Sequence, residues 1–298
     1  MAAMPTEAEL RELRRQTTRG DKRKRLGAYA AYCRALIDAS RLGDELLVAA
    51  QDGRRLALEL GRSEQARSFG RTAALALEAM AEAQQSPELY LSAAGEYERA
   101  GLRVEAARYQ ADAAGLMLDD GQHDTALALL QPALEVFTQA DASKDVALVQ
   151  LALARIASAE GDPEHAVRLA NSGISLLEAG DDISARAYGL QVLGHIHLDA
   201  DQSKEAASAY RQAVQAWQAA GNADAAAACM PFLIEALKER GELNEAKAWI
   251  EQLRVRAERR GDHTAAAEAD EMLGWLLLHT NGRTRPRTRS FALALPVR

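Results

Sequence analysis

Across residues 201–220 the apolar side chains Ala206, Ala209, Tyr210, Ala213, Val214 and Trp217 recur three and four apart, while Lys204, Ser208, Arg211 and Gln215 take the other side. That period predicts one amphipathic α-helix over the interval. Similar stretches are punctuated at twenty-residue spacing by Asp21, Gly61, Gly101, Gly121, Asp141, Gly161, Asp181, Asp201, Gly221, Gly241 and Gly261, then by Asn281-Gly282. An alanine stands five residues after many of these marks, at Ala66, Ala106, Ala126, Ala166, Ala206, Ala246 and Ala266. Helix-start chemistry is explicit at Ser86-Pro87-Glu88 and Asp162-Pro163-Glu164, which supply a cap, a first-turn proline and an acid near the positive end of the dipole. Gly180, Gly221 and Gly261 are placed to take the left-handed conformation that ends a helix. The turns are short, so successive helices are expected to lie antiparallel, each pair forming a hairpin of about forty residues.

A second regularity spans alternate helices. The segments 121–137, 161–177, 201–217 and 241–257 begin forty residues apart and share their apolar pattern. A fixed period of this length is the mark of a repeat architecture. Residues 187–217 carry Leu190, Leu193-Gly194 and His197 on a first helix, then Ala206, Tyr210 and Ala213 on a second. The matching positions are Leu153-Ala154, Ala157, Ala166, Ala170 and Gly173 in 147–177, and Met230, Leu233, Leu237, Ala246, Ile250 and Leu253 in 227–257. Leu273-Gly274 and Leu277 restart the pattern. On these residues the chain resembles the tetratricopeptide repeat family over about 26–280. Its period exceeds that family's 34 residues by six, as in the long-helix repeat domains of large bacterial transcription activators and peptide-sensing regulators. The resemblance implies an all-α solenoid of about seven antiparallel hairpins in a right-handed superhelix. Residues 21–60 and 61–100 fit poorly, with Ser86 where the alanine should be, so the first two hairpins are expected to pack differently or to cap the array.

Composition agrees. Apolar residues make up 48% of the 298 but aromatics only 5%, and alanine, the best helix former, supplies 64. Twenty glycines and seven prolines exclude collagen-like sequence. Cys33 and Cys229 belong to no CxxC pattern and read as small buried residues, not as a disulfide framework or zinc site. No signal-peptide core follows Met1 and no apolar run reaches the ~20 residues of a membrane span, so the expectation is a cytoplasmic protein without membrane contact.

Charge sets the ends apart. Residues 11–25 carry +6, residues 281–298 carry +5, and residues 26–280 carry −16. This divides the chain into a basic N-terminal segment (1–25), the repeat domain (26–280) and a basic, apolar C-terminal tail (281–298). Nucleic acid is expected only through the basic ends, which lack interleaved aromatics to stack on bases. The tail's apolar FALALPV (291–297) suggests self-association or docking on the last hairpin.

No catalytic constellation is present: no HExxH, Gly-rich phosphate loop, GxSxG elbow or paired carboxylates. His195 and His197, two apart on one helix, point different ways and do not share a metal. The turn acids Asp119-Asp120 and Asp181-Asp182 are solvated, Pro132 and Pro231 fall inside predicted helices, and Trp217, Trp249 and Trp275 read as core before ligand box. No cofactor, metal or enzymatic activity is expected. Stacked hairpins leave a concave wall lined by the first helix of each pair. By the register of the resemblance its inward positions are Arg71, Arg108, Arg155, Tyr188, Gln191, His195, Glu235 and Trp275. Arginine forks hold carboxylates bidentately, so the expected partner is a protein or extended peptide with an acidic segment, held by a scaffold or adaptor. A ligand- or peptide-sensing regulator is the alternative, weakened because residues 1–20 are too few for a DNA-reading domain; a helical-repeat enzyme comes last.

Overall fold

The computed structural model describes residues 4–280, and every regular element among them is an α-helix. In chain order these are α1 (Glu7–Gln16), α2 (Lys22–Asp38), α3 (Asp44–Glu59), α4 (Ser63–Gln84), α5 (Pro87–Arg99), α6 (Arg103–Asp119) and α7 (His123–Gln139). There follow α8 (Ser143–Ala159), α9 (Pro163–Glu178), α10 (Ile183–Asp199), α11 (Ser203–Ala219), α12 (Ala223–Glu239), α13 (Leu243–Arg260) and α14 (His263–Thr280). Fourteen helices make the expected seven pairs; in the register of the repeat they fall as six hairpins, with α1 leading and α14 restarting the pattern. The tail 281–298 lies outside the described residues.

From α6 onward each helix begins twenty residues after the last, at 103, 123, 143, 163, 183, 203, 223, 243 and 263. The residue after most C-caps is left-handed: glycine at Gly121, Gly161 and Gly221, but aspartate at Asp141 (φ 52°) and Asp201 (φ 56°). Aspartate is among the few side chains that tolerate this conformation. The expected caps form: Asp162 accepts from the His165 amide at 2.9 Å and Ser86 from the Leu89 amide at 3.3 Å. Gly180 departs from expectation. It is not left-handed, and α9 ends one residue early, at Glu178. Pro132 and Pro231 lie inside α7 and α12. The earlier helices fall out of register because position 81 holds Ala81, fully buried and a strong helix former, where a turn residue is due. As a result α4 runs for 22 residues, to a left-handed Gln85, and α5 keeps only 13.

The helices form two compact units, Met1–Asp141 and Ala142–Arg298. In the first, each helix from α1 to α7 packs on the next, and α1 to α4 enclose a core that includes Leu36, Leu46, Ala50 and Phe69. Arg54 of α3 reaches α5 and donates to Glu96 at 2.6 Å; Glu96, only 6% exposed, also accepts from Arg99. In the second unit each helix from α8 to α14 again packs on the next, and in addition α10 touches both α8 and α12. Its core runs from Leu151 through Tyr210 and Leu233 to Ile250.

The small residues of the repeat mark close approaches. A Cβ on Gly173 would stand 2.9 Å from the Ala147 backbone oxygen and 3.2 Å from Leu151 Cγ, and one on Gly194 would stand 2.9 Å from the Tyr210 ring. The backbone of α8 has no rotamer with which to yield at Gly173. Gly173→Val is therefore expected to destabilise the second unit by about 3 kcal/mol, read as a lower urea midpoint at unchanged slope; an unchanged midpoint would mean that α8 and α9 pack less closely than described.

Candidate functional site

In the second unit the first helices α8, α10 and α12 lie side by side, the contiguous wall the repeat register requires. Half-buried side chains along it are Arg155 from α8, Tyr188 and His195 from α10, and Glu235 from α12, with Trp275 of α14 beyond. Of the remaining expected residues, Arg71 of α4 and Arg108 of α6 are exposed in the first unit. Gln191 is inside: 7% exposed, its Oε1 accepts from Trp217 Nε1 at 3.3 Å and from Cys229 Sγ at 3.2 Å. It ties α10 to α11 and α12 and does not line an open face.

His195 stands at the centre of the wall. Its ring meets Phe232 edge-on at 4.5 Å and Tyr210 edge-on at 5.3 Å, while Tyr210 and Phe232 stack at 5.6 Å. The Tyr210 oxygen lies 2.6 Å from His195 Nδ1. Tyr210 is fully buried, so its hydroxyl hydrogen needs that acceptor; the Tyr210 O–H donates to Nδ1, and the ring proton sits on Nε2. Nε2 is itself buried with no hydrogen-bond partner among the described residues. Burial, aided by the positive charge of Arg155, pushes the imidazole down to about 4. His195 is therefore a neutral imidazole near pH 7. His197 turns elsewhere, its Nδ1 2.7 Å from Gln202 Oε1, as the two-residue spacing demands.

Further along, Lys238 Nζ donates to Glu235 at 2.7 Å and lies 4.2 Å from the centre of the Trp275 ring. Glu235, Lys238 and Trp275 thus form one carboxylate–cation–aromatic string from α12 to α14. Lys238 was not among the expected positions; its spacing of three from Glu235 was the available signal. Trp217, Trp249 and Trp275 all pack against the core, as expected of them. Cys33 and Cys229 are buried free thiols, each pushed up to about 12 by burial. In the first unit sequence reasoning missed a stack of Tyr90, Tyr109 and Tyr97, with centroids 6.3 Å and 5.1 Å apart. Burial and the nearby Glu78 carboxylate raise Tyr97 and Tyr109 above the usual phenol range. Among the described residues no helix is long and apolar enough to cross a membrane.

Comparison with known proteins bears on this architecture. The tetratricopeptide repeat family model matches residues 105–179. No curated protein matches the chain by sequence. Among solved structures it is similar to a signal transduction ATPase with numerous domains carrying a tetratricopeptide repeat sensor, from Pyrococcus horikoshii: 14% identity, TM-score 0.57, covering 94% of this chain and 48% of that one. It is also similar to a Rap protein complexed with Competence and Sporulation Factor, at 13% identity and TM-score 0.55, covering 91% and 87% of the two chains. The apo form of RapI gives 13% identity and TM-score 0.53 over 92% and 80%. At these identities the likeness is one of fold. Helix pairs recurring at forty residues, the match over 105–179 and that shared fold make the chain a tetratricopeptide-like helical-repeat protein with lengthened helices.

Proposed function

We propose that this chain is a non-enzymatic scaffold that holds an extended peptide, or an acidic segment of a partner protein, against its first helices. The observation that carries the reading is the wall of α8, α10 and α12, which presents a cation, aromatic rings and a polar string at successive heights. Extended peptides suit such a surface because side chains on one face of the ligand meet successive repeats. Arg155 supplies the carboxylate fork on α8. The Rap protein of like fold was solved holding Competence and Sporulation Factor, which supports a ligand-holding role. It also favours a second reading, a cytoplasmic regulator that senses such a ligand; that the Pyrococcus horikoshii ATPase of like fold carries a tetratricopeptide repeat sensor supports the same reading.

The test is an array of acidic ten-residue peptides, with hits remeasured in solution by fluorescence anisotropy. Arg155→Ala is expected to weaken the hits about tenfold, the worth of one charge-assisted contact, while leaving the helical circular dichroism unchanged. Affinity that survives this substitution removes the wall from consideration. A hit from a metabolite panel in place of the peptides favours the sensing reading.

A further inference from the structure

Eight cations fall within residues 11–25, at the N-terminal end of the first unit. Helix α1 is firmly built: Thr6 and Glu9 form a capping box, and Leu10 is buried. After the turn, Asp21 caps α2 by accepting from the Arg23 and Lys24 amides, each at 2.9 Å. Arg25 Nε donates to the Thr17 carbonyl at 2.9 Å, closing the turn on itself. The basic residues of 11–25 are therefore held on a folded corner.

Their placement is unequal. On α1 the cations Arg14 and Arg15 fill the last turn, where the helix dipole favours them. On α2 the first turn is Lys22, Arg23, Lys24 and Arg25, with no acid among them. That is the positive end of the dipole, where cations are disfavoured, so α2's own stability does not account for them. The end of α1 and the start of α2 meet at the turn, and both sets converge there. Some are neutralised: Lys22 by Glu59 at 2.8 Å, Arg14 by Glu45 at 3.7 Å and Arg15 by Glu12 at 3.9 Å. Arg11, Arg19, Arg23 and Lys24 are exposed; Arg23 and Lys24 have the Asp21 carboxylate near them, shared between the two.

We propose that this corner, where α1 meets α2, is a docking surface for the phosphodiester backbone of a nucleic acid. Six of the eight cations in 11–25 are arginine, whose planar fork matches phosphate oxygens. None of the exposed large apolar side chains falls between residues 11 and 25, so the corner lacks the apolar centre of a protein interface and the wedge that an amphipathic helix sinks into a bilayer. It carries no aromatic ring to stack on bases either, so the contacts available to it are those to phosphate. The net −16 on residues 26–280 repels a polyanion from that part of the chain.

The experiment measures anisotropy of a labelled 20-base-pair DNA duplex and a 20-nucleotide RNA against the full chain from 50 to 200 mM salt. Polyglutamate of matched charge and phosphatidylserine vesicles are run alongside. Four phosphate contacts predict a log–log salt slope of about −3.6 on the duplex, a loss of roughly a hundredfold over that range. The triple variant Arg19→Glu, Arg23→Glu, Lys24→Glu puts acids where the α2 dipole favours them, so folding is retained, as circular dichroism will verify. It is expected to weaken duplex and RNA binding at least a hundredfold at 50 mM salt. The proposal is overturned if neither nucleic acid binds at 50 mM salt, if the triple variant binds as the parent does, or if polyglutamate or vesicles bind more tightly than both nucleic acids.

Discussion

Replacing Tyr210 by alanine is expected to cost the second unit about 4 kcal/mol, within the range for deleting a large buried aromatic. Tyr210 is fully buried, it stacks on Phe232, and Gly194 is kept bare so that its ring fits against α10. Its hydroxyl also holds His195 Nδ1 at 2.6 Å. Truncation opens a cavity between α10 and α11 and removes the acceptor's donor at once. Tyr210→Phe separates the two parts: the ring stays, Nδ1 is left unpaired, and the expected cost is about 1–2 kcal/mol. Urea unfolding followed by helical circular dichroism reads both. A Tyr210→Ala midpoint within error of the parent would mean that the repeat's aromatic position is not a packing centre. Equal losses for Tyr210→Ala and Tyr210→Phe would place the whole effect in the hydrogen bond.

The ease with which the fold is read from sequence comes from repetition. Most helices from α6 onward restate the same spacing of turn residue, alanine and bulky apolar side chain, so noise at one position is corrected by its equivalents. That redundancy fails at Ala81, where a helix former replaces the turn residue and α4 runs on; the sequence flags a misfit at Ser86 but not its geometry. The candidate site is less legible because it depends on what neighbouring helices bring to the same spot. Gln191 and His195 are four apart, on one face of α10. Gln191 is nevertheless drawn inside because Trp217 and Cys229, from the next two helices, each aim a donor at it. Spacing along one helix carries no record of that. The Arg54–Glu96–Arg99 cluster joins residues 42 positions apart across α3 and α5 in the irregular part of the chain, where no repeat register relates them.

Acidification from pH 6.5 to pH 4 is expected to remove about 3 kcal/mol from the second unit through His195 alone. In the unfolded chain its imidazole takes a proton near 6.5, whereas in the fold burial and Arg155 hold it down to about 4. Above 6.5 the side chain is neutral in both states and contributes nothing to the pH dependence. Between 6.5 and 4 the unfolded state binds a proton that the folded state does not, so stability falls as pH falls, by about 1.4 kcal/mol per pH unit. Below 4 both states are protonated and the loss levels off. Other groups titrate in the lower part of this window with either sign. Asp182, held below the usual carboxylate range mainly by Lys144, loses stability on acidification, whereas Asp199, raised by burial, gains it. The measurement is therefore a difference. His195→Asn keeps a polar atom near Nδ1 for Tyr210 but does not titrate, so its urea stability, lower at pH 7 through lost contact with Phe232, should decline less steeply than the parent's. The two curves are expected to converge by about 3 kcal/mol between pH 6.5 and 4; parallel curves would mean that the His195 imidazole is solvated in the fold.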